Sequence, residues 1–269
     1  MQPTDSRQIF VDPSKVRKAD QLAEYERILK DNICPFCLDH REEYTQGTRL
    51  YDGDHWWLFQ NNWPYKNTRR HIMAVSREHN VYLEDLDQLA GNELFVVLQK
   101  LELEDGYSLA ALEARFGFVM WTGASVAHFH MHLLIPEVTE VGDSLVVEYS
   151  FGRKLFDGEH WSVYLNARPH EYAREHFLIA STASAKFLND LEVDAGSELF
   201  AHMSRLESEY DFTHGGFHSR LGNRLQAGDG KDRIVVELVA PQDDLHESDT
   251  KKLRFVVSEN PEVDFKIST

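Results

Sequence analysis

Three histidines, His128, His130 and His132, alternate with apolar residues in the segment HFHMHLLIP. Side chains of a β-strand alternate between the two faces of a sheet, so the three imidazoles are expected to share one face while the residues between them face the core. Burying imidazoles without partners costs free energy, so the pattern indicates a site. From these residues alone, two simpler interpretations are histidines satisfied by hydrogen bonds and a metal site on a sheet.

A short segment with a glycine and a hydroxyl group, from Gly123 to Ala127 with Ser125 at its centre, precedes the histidines. Glycine gives a flexible turn and serine gives a hydrogen-bond donor, as a phosphate-handling site requires. The histidines match every position of the signature His-φ-His-φ-His-φ-φ, where φ is apolar. The chain therefore resembles the histidine triad superfamily of nucleotide hydrolases and transferases.

The resemblance implies a chemical role for each residue of the segment. His130, the middle histidine, would attack the α-phosphorus of a nucleotide and form a covalent nucleotidyl-histidine. Imidazole suits this task because it is neutral and nucleophilic near pH 7. His128 and His132 would contact the phosphoryl oxygens and the leaving group, and Ser125 would donate a hydrogen bond to the same phosphate.

The charge balance restricts the partners. The chain of 269 residues has 45 acidic and 28 basic residues, a formal net charge of −17. Such a surface repels nucleic acid and anionic membranes, so a nucleotide substrate requires a local positive site. The cations Lys66, Arg69, Arg70 and Arg77 are candidates, and solvated surface charges are the alternative.

Nucleotide binding is assigned to Asn61, Arg69 and Gly123. Asn61 aligns with the position at which the family binds ribose hydroxyls. Its counterpart Asn166, 105 residues later, is also asparagine, which equally suits a role in a turn.

The two cysteines form the motif Cys34-Pro-Phe-Cys37. On their own they are a redox pair, two inert thiols or half of a zinc site. The resemblance extends to uridylyltransferases of the same superfamily, where a zinc ion lies between such a pair, a histidine after the second main strand and the first triad histidine. The matching residues here are Cys34, Cys37, His79 and His128, and a structural zinc is expected.

Residues 105 positions apart are identical along much of the chain, which indicates two copies of one unit. The segment DGDHW at 52–56 returns as DGEHW at 157–161, and further pairs are Asn61 and Asn166, Arg69 and Arg174, His71 and His176, Ala90-Gly91 and Ala195-Gly196, and Pro136 and Pro241.

The second copy lacks the chemistry, because His128, His130 and His132 correspond to Arg233, Val235 and Glu237, while Ser125 and His79 correspond to Gly230 and Ser184. We expect an α+β fold of two tandem histidine triad-like units, each an antiparallel sheet with a packed helix. The catalytic unit spans 1–145 and the degenerate unit 146–269. The two would form a pseudo-dimer within the chain, with a homodimer of whole chains left open.

Hydrophobic periodicity places the elements of the first unit. A helix is expected around 14–30, strands over 56–60 and 71–75, a helix with an apolar stripe from Leu86 to Leu101, and strands over 116–121 and 128–135. A further edge strand is expected over 253–257.

The third triad residue, His132, favours a hydrolase, because related uridylyltransferases and phosphorylases usually have glutamine there. Alternatives are a nucleotidyltransferase or phosphorylase, and a zinc-stabilised nucleotide-binding module without turnover. The segment before Ser125 is shorter than in the family and lacks its usual asparagine. With no run of about 18 apolar residues and a polar N-terminus, a cytoplasmic protein is expected.

Overall fold

Ten strands form one antiparallel sheet in the computed structural model, which describes residues 10–16, 18–117, 119, 124–137, 149–222 and 232–242. In chain order the strands are β1 (Arg49–Asp52), β2 (Trp56–Gln60), β3 (Thr68–Ser76), β4 (Leu109–Phe116), β5 (His130–Pro136), β6 (Phe151–Asp157), β7 (Trp161–Asn166), β8 (Ala173–Ser181), β9 (Gly215–Gly222) and β10 (Val235–Pro241). The fold class is therefore α+β, as predicted.

The described part of the chain contains four α-helices, α1 (Ala19–Asp31), α2 (Arg41–Tyr44), α3 (Leu89–Asp105) and α4 (Ala195–Glu209). Short 3₁₀ turns occupy Pro13–Lys15 and Leu188–Asp190. Within this part, no helix is both long and apolar enough to cross a lipid bilayer.

The order of the strands across the sheet is β1-β2-β3-β5-β4-β9-β10-β8-β7-β6. Read inward from either edge, the order follows the same sequence of elements, so strands 105 residues apart occupy corresponding places. The two central strands, β4 and β9, pair antiparallel from Leu109 opposite Gly222 to Phe116 opposite Gly215. This pairing joins the two halves of the sheet.

Helices α3 and α4 cover one face of the sheet and touch each other through glycines. A Cβ atom on Gly91 would lie 2.2 Å from the Gly196 carbonyl oxygen, and one on Gly196 would lie 2.2 Å from that of Gly91. Each glycine therefore permits a close helix crossing that a larger residue would prevent. The indole nitrogens of Trp56 and Trp161 donate to the carbonyls of Ala90 and Ala195, both at 2.7 Å, and hold the helices on the sheet.

The opposite face of the first half is covered by α1 and the segment containing the cysteines. Tyr25, Ile28 and Phe36 pack there against Phe59 and Val75 in a second apolar cluster. Alternation in β5 has the predicted consequence, because the apolar residues between the histidines join the core beneath the helices. The triad histidines thus lie on the face covered by α1.

Two predicted elements have different bounds. Helix α1 begins at Ala19, later than predicted, because the preceding turn at Pro13–Lys15 is separate. The strand predicted over 116–121 overlaps β4 at one residue only, since β4 runs over Leu109–Phe116, and residues 118, 120 and 121 lie outside the described residues. The sequence of β4, LAALEARF, has strong helix formers, but burial of both faces of the strand from Ala110 to Ala114 overrides local propensity. The strand predicted over 253–257 lies outside the described residues.

Candidate active site

His130 is the first residue of β5 and is buried, with 5% of its surface exposed. Its Nδ1 lies 2.6 Å from the carbonyl oxygen of His128. A carbonyl accepts only, so Nδ1 carries the proton and Nε2 keeps its lone pair. Burial lowers the pKa of His130 to about 4, which keeps the ring neutral near pH 7. A neutral imidazole with a defined tautomer is a competent nucleophile.

His132 is oriented by a buried histidine from the neighbouring strand β3. The backbone N–H of Tyr65 donates to Nδ1 of His71 at 3.2 Å, so the proton of His71 lies on Nε2. That Nε2 lies 2.8 Å from Nδ1 of His132, which therefore accepts. The proton of His132 is then on Nε2, where it can be donated. In the sequence, His71 is distinguished only by its repeat partner His176, and nothing there indicates this contact.

His128 has partners at both ring nitrogens and is 2% exposed. Its Nε2 lies 2.7 Å from the carbonyl oxygen of Ser76, and its Nδ1 lies 3.3 Å from the sulfur of Cys34. Of the two roles expected for His128, the geometry favours a metal ligand over a contact to phosphate. The bond to Ser76 would hold the ring with Nδ1 toward a metal, as outer hydrogen bonds of metal ligands commonly do.

Cys34, Cys37, His79 and His128 come together as a cluster whose ligand atoms all lie within 4.8 Å of one another. The sulfur of Cys37 is 3.3 Å from Nδ1 of His79. The hydrogen bond from Cys34, followed by those from the two histidines, lowers the pKa of Cys37 and favours its thiolate. Two sulfur and two imidazole ligands fit a closed tetrahedral zinc site, so the residues suit the expected metal.

The metal cluster and the nucleophile are linked by Phe36. This ring lies between the two cysteines in sequence and packs edge-on against His130, with the ring centroids 5.4 Å apart. The N-terminal segment contacts the loop before the triad, where Asp12 donates its backbone N–H to the carbonyl of Ser125 at 3.0 Å. This loop is therefore held by a segment that is distant in sequence.

A cavity of about 310 Å³ opens beside the triad. Its lining combines apolar and aromatic residues with polar and charged ones, among them Lys15, Tyr25, Ile28, Phe36, Phe59, Asn61, Arg115, Ser125, His130 and His132. The volume is within the range of small-molecule sites in proteins.

The cations that line this cavity are Lys15 and Arg115, which the sequence interpretation missed. Lys15 also lies 3.4 Å from the carboxylate of Asp12. The signal for Arg115 was its place on a strand beside the triad, but that strand was predicted seven residues too late.

The cations proposed from the sequence lie elsewhere. Arg69 is exposed and donates to the carbonyl of Asp105 at 3.3 Å, and Arg70 pairs with the carboxylate of the same residue. Arg77 pairs with Asp52 at 2.8 Å. The structure does not bring Arg69 to the cavity.

Asn61 lines the cavity, but its amide is also engaged locally. Its Oδ1 accepts from the backbone N–H of Trp63 at 2.8 Å, and its Nδ2 lies 3.1 Å from Nε2 of His71. Asn166 makes the corresponding contacts in the second half, which favours a structural role for both. Ser125 lines the cavity, and Gly123 lies outside the described residues.

In the second half, a carboxylate takes the place of the third histidine. Glu237 accepts from Nε2 of His176 at 3.3 Å, and its other oxygen lies 3.1 Å from Nε2 of His218 and 3.8 Å from Nη1 of Arg220. Burial opposes ionisation, but the interactions with His218, His176 and Arg220 outweigh it and lower the pKa of Glu237 to about 2. Val235, in place of His130, is buried and apolar.

No protein-family model matches the sequence, and no curated protein matches it. Solved structures do match the fold. An ADP-glucose phosphorylase from Arabidopsis thaliana with bound ADP-glucose has a TM-score of 0.57 at 13% identity, covering 85% of this chain and 90% of that chain. A galt-like protein from Arabidopsis thaliana has a TM-score of 0.53 at 12% identity, covering 84% and 93%.

A DUF4931 family protein from Bacillus cereus has a TM-score of 0.52 at 14% identity, covering 82% of this chain and 92% of that chain. These identities are low, so the likeness concerns the fold. It extends over most of each chain and confirms, at the level of the fold, the predicted resemblance to the galactose-1-phosphate uridylyltransferase type. The chain is similar in fold to the galt-like proteins over nearly their whole length.

Proposed function

We propose that this protein is a nucleotide hydrolase that cleaves at the α-phosphorus through a covalent nucleotidyl-His130 intermediate. The observation that carries the proposal is the hydrogen bond from Nδ1 of His130 to the His128 carbonyl, which leaves Nε2 unprotonated in a cavity-lining ring. In the first step an N–P bond forms, the P–O bond to the leaving group breaks, and its electron pair moves to the leaving oxygen. Water then displaces His130 from phosphorus in a second step of the same kind.

His132 is proposed as the group that stabilises the leaving oxygen. Because His71 donates to its Nδ1, His132 carries its proton on Nε2 and can donate it in a hydrogen bond to the leaving oxygen, which departs with its electron pair as an anion. In the second step water attacks phosphorus, the N–P electron pair returns to Nε2 of His130, and the proton of water passes to the solvent. His71 acts as a positioning residue, since it sets the tautomer of His132.

The cavity supports a nucleotide as substrate. Tyr25, Ile28 and Phe59 offer an apolar surface of the kind that a nucleobase contacts, and the cation Lys15 lies on the same cavity. A structure of the same fold holds ADP-glucose, which supports a nucleoside diphosphate compound as the ligand class. Nucleotide contacts by Asn61, Arg69 and Gly123 stay predictions, with Arg69 the least supported because it lies away from the cavity.

A phosphorylase or nucleotidyltransferase is the second candidate, because one protein of the same fold is an ADP-glucose phosphorylase. The two functions differ only in what resolves the intermediate, which is water in a hydrolase and phosphate or a sugar phosphate in a transferase. The histidine at position 132 supports hydrolysis by analogy with the family. A nucleotide-binding module without turnover predicts binding without a covalent intermediate.

A structural zinc bound by Cys34, Cys37, His79 and His128 is part of the proposal, supported by the closeness of the four ligand atoms. A site with four protein ligands has no open position, so the metal supplies rigidity to the loop that carries Phe36. Thiolate ligands require a reducing compartment, which supports a cytoplasmic location.

We also propose that the sheet consists of two tandem units, divided near residues 145 and 146, that form a pseudo-dimer. The mirrored strand order supports this organisation, as do the reciprocal glycine contacts of α3 and α4. Two carboxylates that make equivalent contacts from one half to the other also support the organisation. Glu102 accepts from the backbone N–H of Asn189, and Glu207, its counterpart, accepts from that of Glu84. The oligomeric state of the whole chain would be measured separately by analytical ultracentrifugation.

The test is a search for the covalent intermediate. Wild type and His130→Ala are incubated with nucleoside phosphoramidates, dinucleoside polyphosphates and nucleotide sugars, quenched rapidly and examined by intact-protein mass spectrometry. Wild type is expected to gain the mass of one nucleotidyl group and to release nucleoside monophosphate. His130→Ala is expected to do neither, with a turnover reduced by at least about 10³-fold.

Adding phosphate or a sugar phosphate separates the two enzyme functions. A hydrolase releases nucleoside monophosphate at the same rate with or without these acceptors, whereas a transferase accumulates the intermediate until an acceptor is present. Val235→Ala, at the corresponding position of the second half, serves as a control and should retain turnover. Nucleotide binding by both proteins without any product would contradict an enzymatic role and favour the binding module.

A further inference from the structure

Each of the two central strands carries an arginine at the corresponding position, Arg115 in β4 and Arg220 in β9, 105 residues apart. Arg115 is paired in register with His130 across β4 and β5. Directly paired residues in antiparallel strands have Cβ atoms about 4.5–5.5 Å apart on the same face. On its other side Arg115 is paired with Gly216, which has no side chain to occupy that face.

The second half shows what an arginine at this position reaches. Nη1 of Arg220 lies 3.8 Å from Oε2 of Glu237, a residue of the next strand β10. Glu237 corresponds to His132, so its carboxylate takes the place in the second half that the third triad histidine has in the first. A guanidinium at this point of the sheet therefore meets an anion above the neighbouring strand. In the first half, the equivalent place above β5 is the cavity beside His130 and His132.

We propose that Arg115 binds the non-bridging oxygens of the α-phosphate while it is transferred to and from His130. This inference rests on the proposed function. During transfer, N–P bond formation and P–O bond cleavage leave negative charge on these oxygens, and a guanidinium can donate two parallel hydrogen bonds to them. Arg115 gives up no proton and acts only through hydrogen bonds and charge, as His132 acts through a hydrogen bond to the leaving oxygen. Arg115 is thus a catalytic residue of the site.

The position of Arg115 also selects the substrate. The chain has a net charge of −17, so an anionic substrate needs positive charge inside the cavity. Arg115 is paired with His130 in the sheet, and both line the cavity together with the apolar residues Tyr25 and Ile28. The ligand it recognises is therefore the phosphate of a nucleotide. A nucleoside that lacks the phosphate would keep only the apolar contacts.

The first experiment compares nucleotide with nucleoside binding by calorimetry, using the four nucleoside 5′-monophosphates and their nucleosides. The variants are Arg115→Gln, Arg115→Lys and the matched control Arg220→Gln. Arg115→Gln is expected to bind the preferred monophosphate about 10–100-fold more weakly and the nucleoside unchanged, because only the phosphate contacts are lost. Arg115→Lys keeps the positive charge but loses the paired donors, so its affinity for the monophosphate should lie between those of wild type and Arg115→Gln. Arg220→Gln should bind as wild type does.

The second experiment measures turnover of the substrate found for the wild type. Arg115→Gln is expected to lower kcat/KM by about 10²–10³-fold, the usual effect of removing one donor to a developing charge. Thermal unfolding of each variant verifies that it is folded. If Arg115→Gln is unfolded, Arg115→Lys decides the question, with an expected loss of about tenfold.

The outcomes separate this inference from the function on which it rests. Wild-type affinity and turnover in Arg115→Gln, or in Arg115→Lys where that variant decides, overturn the role of Arg115 and leave the proposed function intact. Equal weakening of monophosphate and nucleoside also overturns it, because Arg115 would then only shape the cavity. A wild type that neither binds monophosphates nor turns over any substrate contradicts the proposed function, and the inference falls with it.

Discussion

The carbonyls of Ser76 and Ser181 lie at corresponding places in the two halves of the sheet, and each accepts a hydrogen bond from a different side chain. His128 lies 2.7 Å from the first, and Arg233, its counterpart, donates to the second at 3.0 Å. The buried carbonyl is satisfied in both halves, as buried backbone groups require. Only the histidine adds a ring nitrogen that faces Cys34. The fold therefore constrains the hydrogen bond, and the side chain that makes it determines whether a metal can bind.

At the third triad position, too, the two halves share a hydrogen-bonded framework but differ in the side chain placed on it. His71 and His176 each receive a backbone N–H on Nδ1 and present Nε2 to the neighbouring strand. In the first half Nε2 meets His132, which can donate a hydrogen bond from its own Nε2. In the second half it meets Glu237, which accepts, and whose pKa is lowered by His218, His176 and Arg220 against the effect of burial. One scaffold thus supports a hydrogen-bond donor in one half and a buried carboxylate with its partners in the other.

The largest expected effect comes from removing a ligand of the proposed zinc site, a site that only the first half has the residues to form. Cys34→Ala removes one of four ligands, so the zinc content is expected to fall from one per chain to almost none. Metal binding free energy of a structural site contributes to folding, so the free energy of unfolding should fall by several kcal/mol. Elemental analysis and thermal unfolding with and without chelator measure both. Ser184→Ala, at the position that corresponds to His79, is the control and should keep the metal. A wild-type protein that is folded but contains no metal would contradict the assignment of the site.

Exchanging the third triad residue is the next largest perturbation. His132→Glu gives the first half the residue of the second, and turnover is expected to fall about 10³-fold because a carboxylate beside phosphate repels it and carries no proton. Glu237→Gln should keep turnover and instead reduce stability by about 3 kcal/mol, since His218 and Arg220 lose their buried partner. Steady-state kinetics and denaturant unfolding of both variants provide the comparison. Equal losses of activity would show that the halves are not divided as proposed.

The helix crossing tests how closely the halves are joined. Gly91→Ala should lower the free energy of unfolding by about 1–3 kcal/mol, because the new methyl group overlaps the backbone of Gly196 and overpacking outweighs the better helix propensity of alanine. Gly196→Ala should cost a similar amount. Ser208→Ala, at an exposed position of α4, should be neutral or slightly stabilising. Denaturant unfolding measures all three, and a stabilised Gly91→Ala would contradict the close crossing.

The last effect is a pH dependence of stability from Glu207. Burial raises its pKa to about 7, with Glu84 and Asp85 adding to the shift, against an ordinary value of 4.5. The folded state then binds more protons than the unfolded state, so stability should fall as pH rises from about 4.5 to 7, by up to about 3 kcal/mol. Glu207→Gln should remove this loss. The measurement is unfolding free energy across that range.

Glu102 should show a weaker version of the same dependence, because it accepts both the backbone and the side-chain amide of Asn189. Hydrogen bonds to a carboxylate favour its ionised form, so the rise in its pKa is opposed more strongly than that of Glu207. Glu209→Gln, exposed at the end of α4, should leave the pH profile unchanged. An unaltered profile in Glu207→Gln would assign the dependence to other groups.

Much of the first half could be predicted from local patterns. Alternation in HFHMH correctly placed the imidazoles on one face and the residues between them in the core. The spacing CPFC, joined to His79 and His128 through the family resemblance, predicted a set of four residues whose donor atoms the fold brings within 4.8 Å of one another. Such predictions succeed because alternation and short spacings are properties of a few neighbouring residues.

Other features were decided only by tertiary structure. Arg115 belongs to the site because β4 pairs with β5 in the register that sets it opposite His130, and nothing in LAALEARF specifies that register. The contact of His71 with His132 and that of Glu207 with Glu84 likewise join residues 61 and 123 positions apart. Sequence periodicity determines which face of an element a side chain occupies, whereas pairing between distant elements determines what it meets there, because that pairing depends on the packing of the whole sheet.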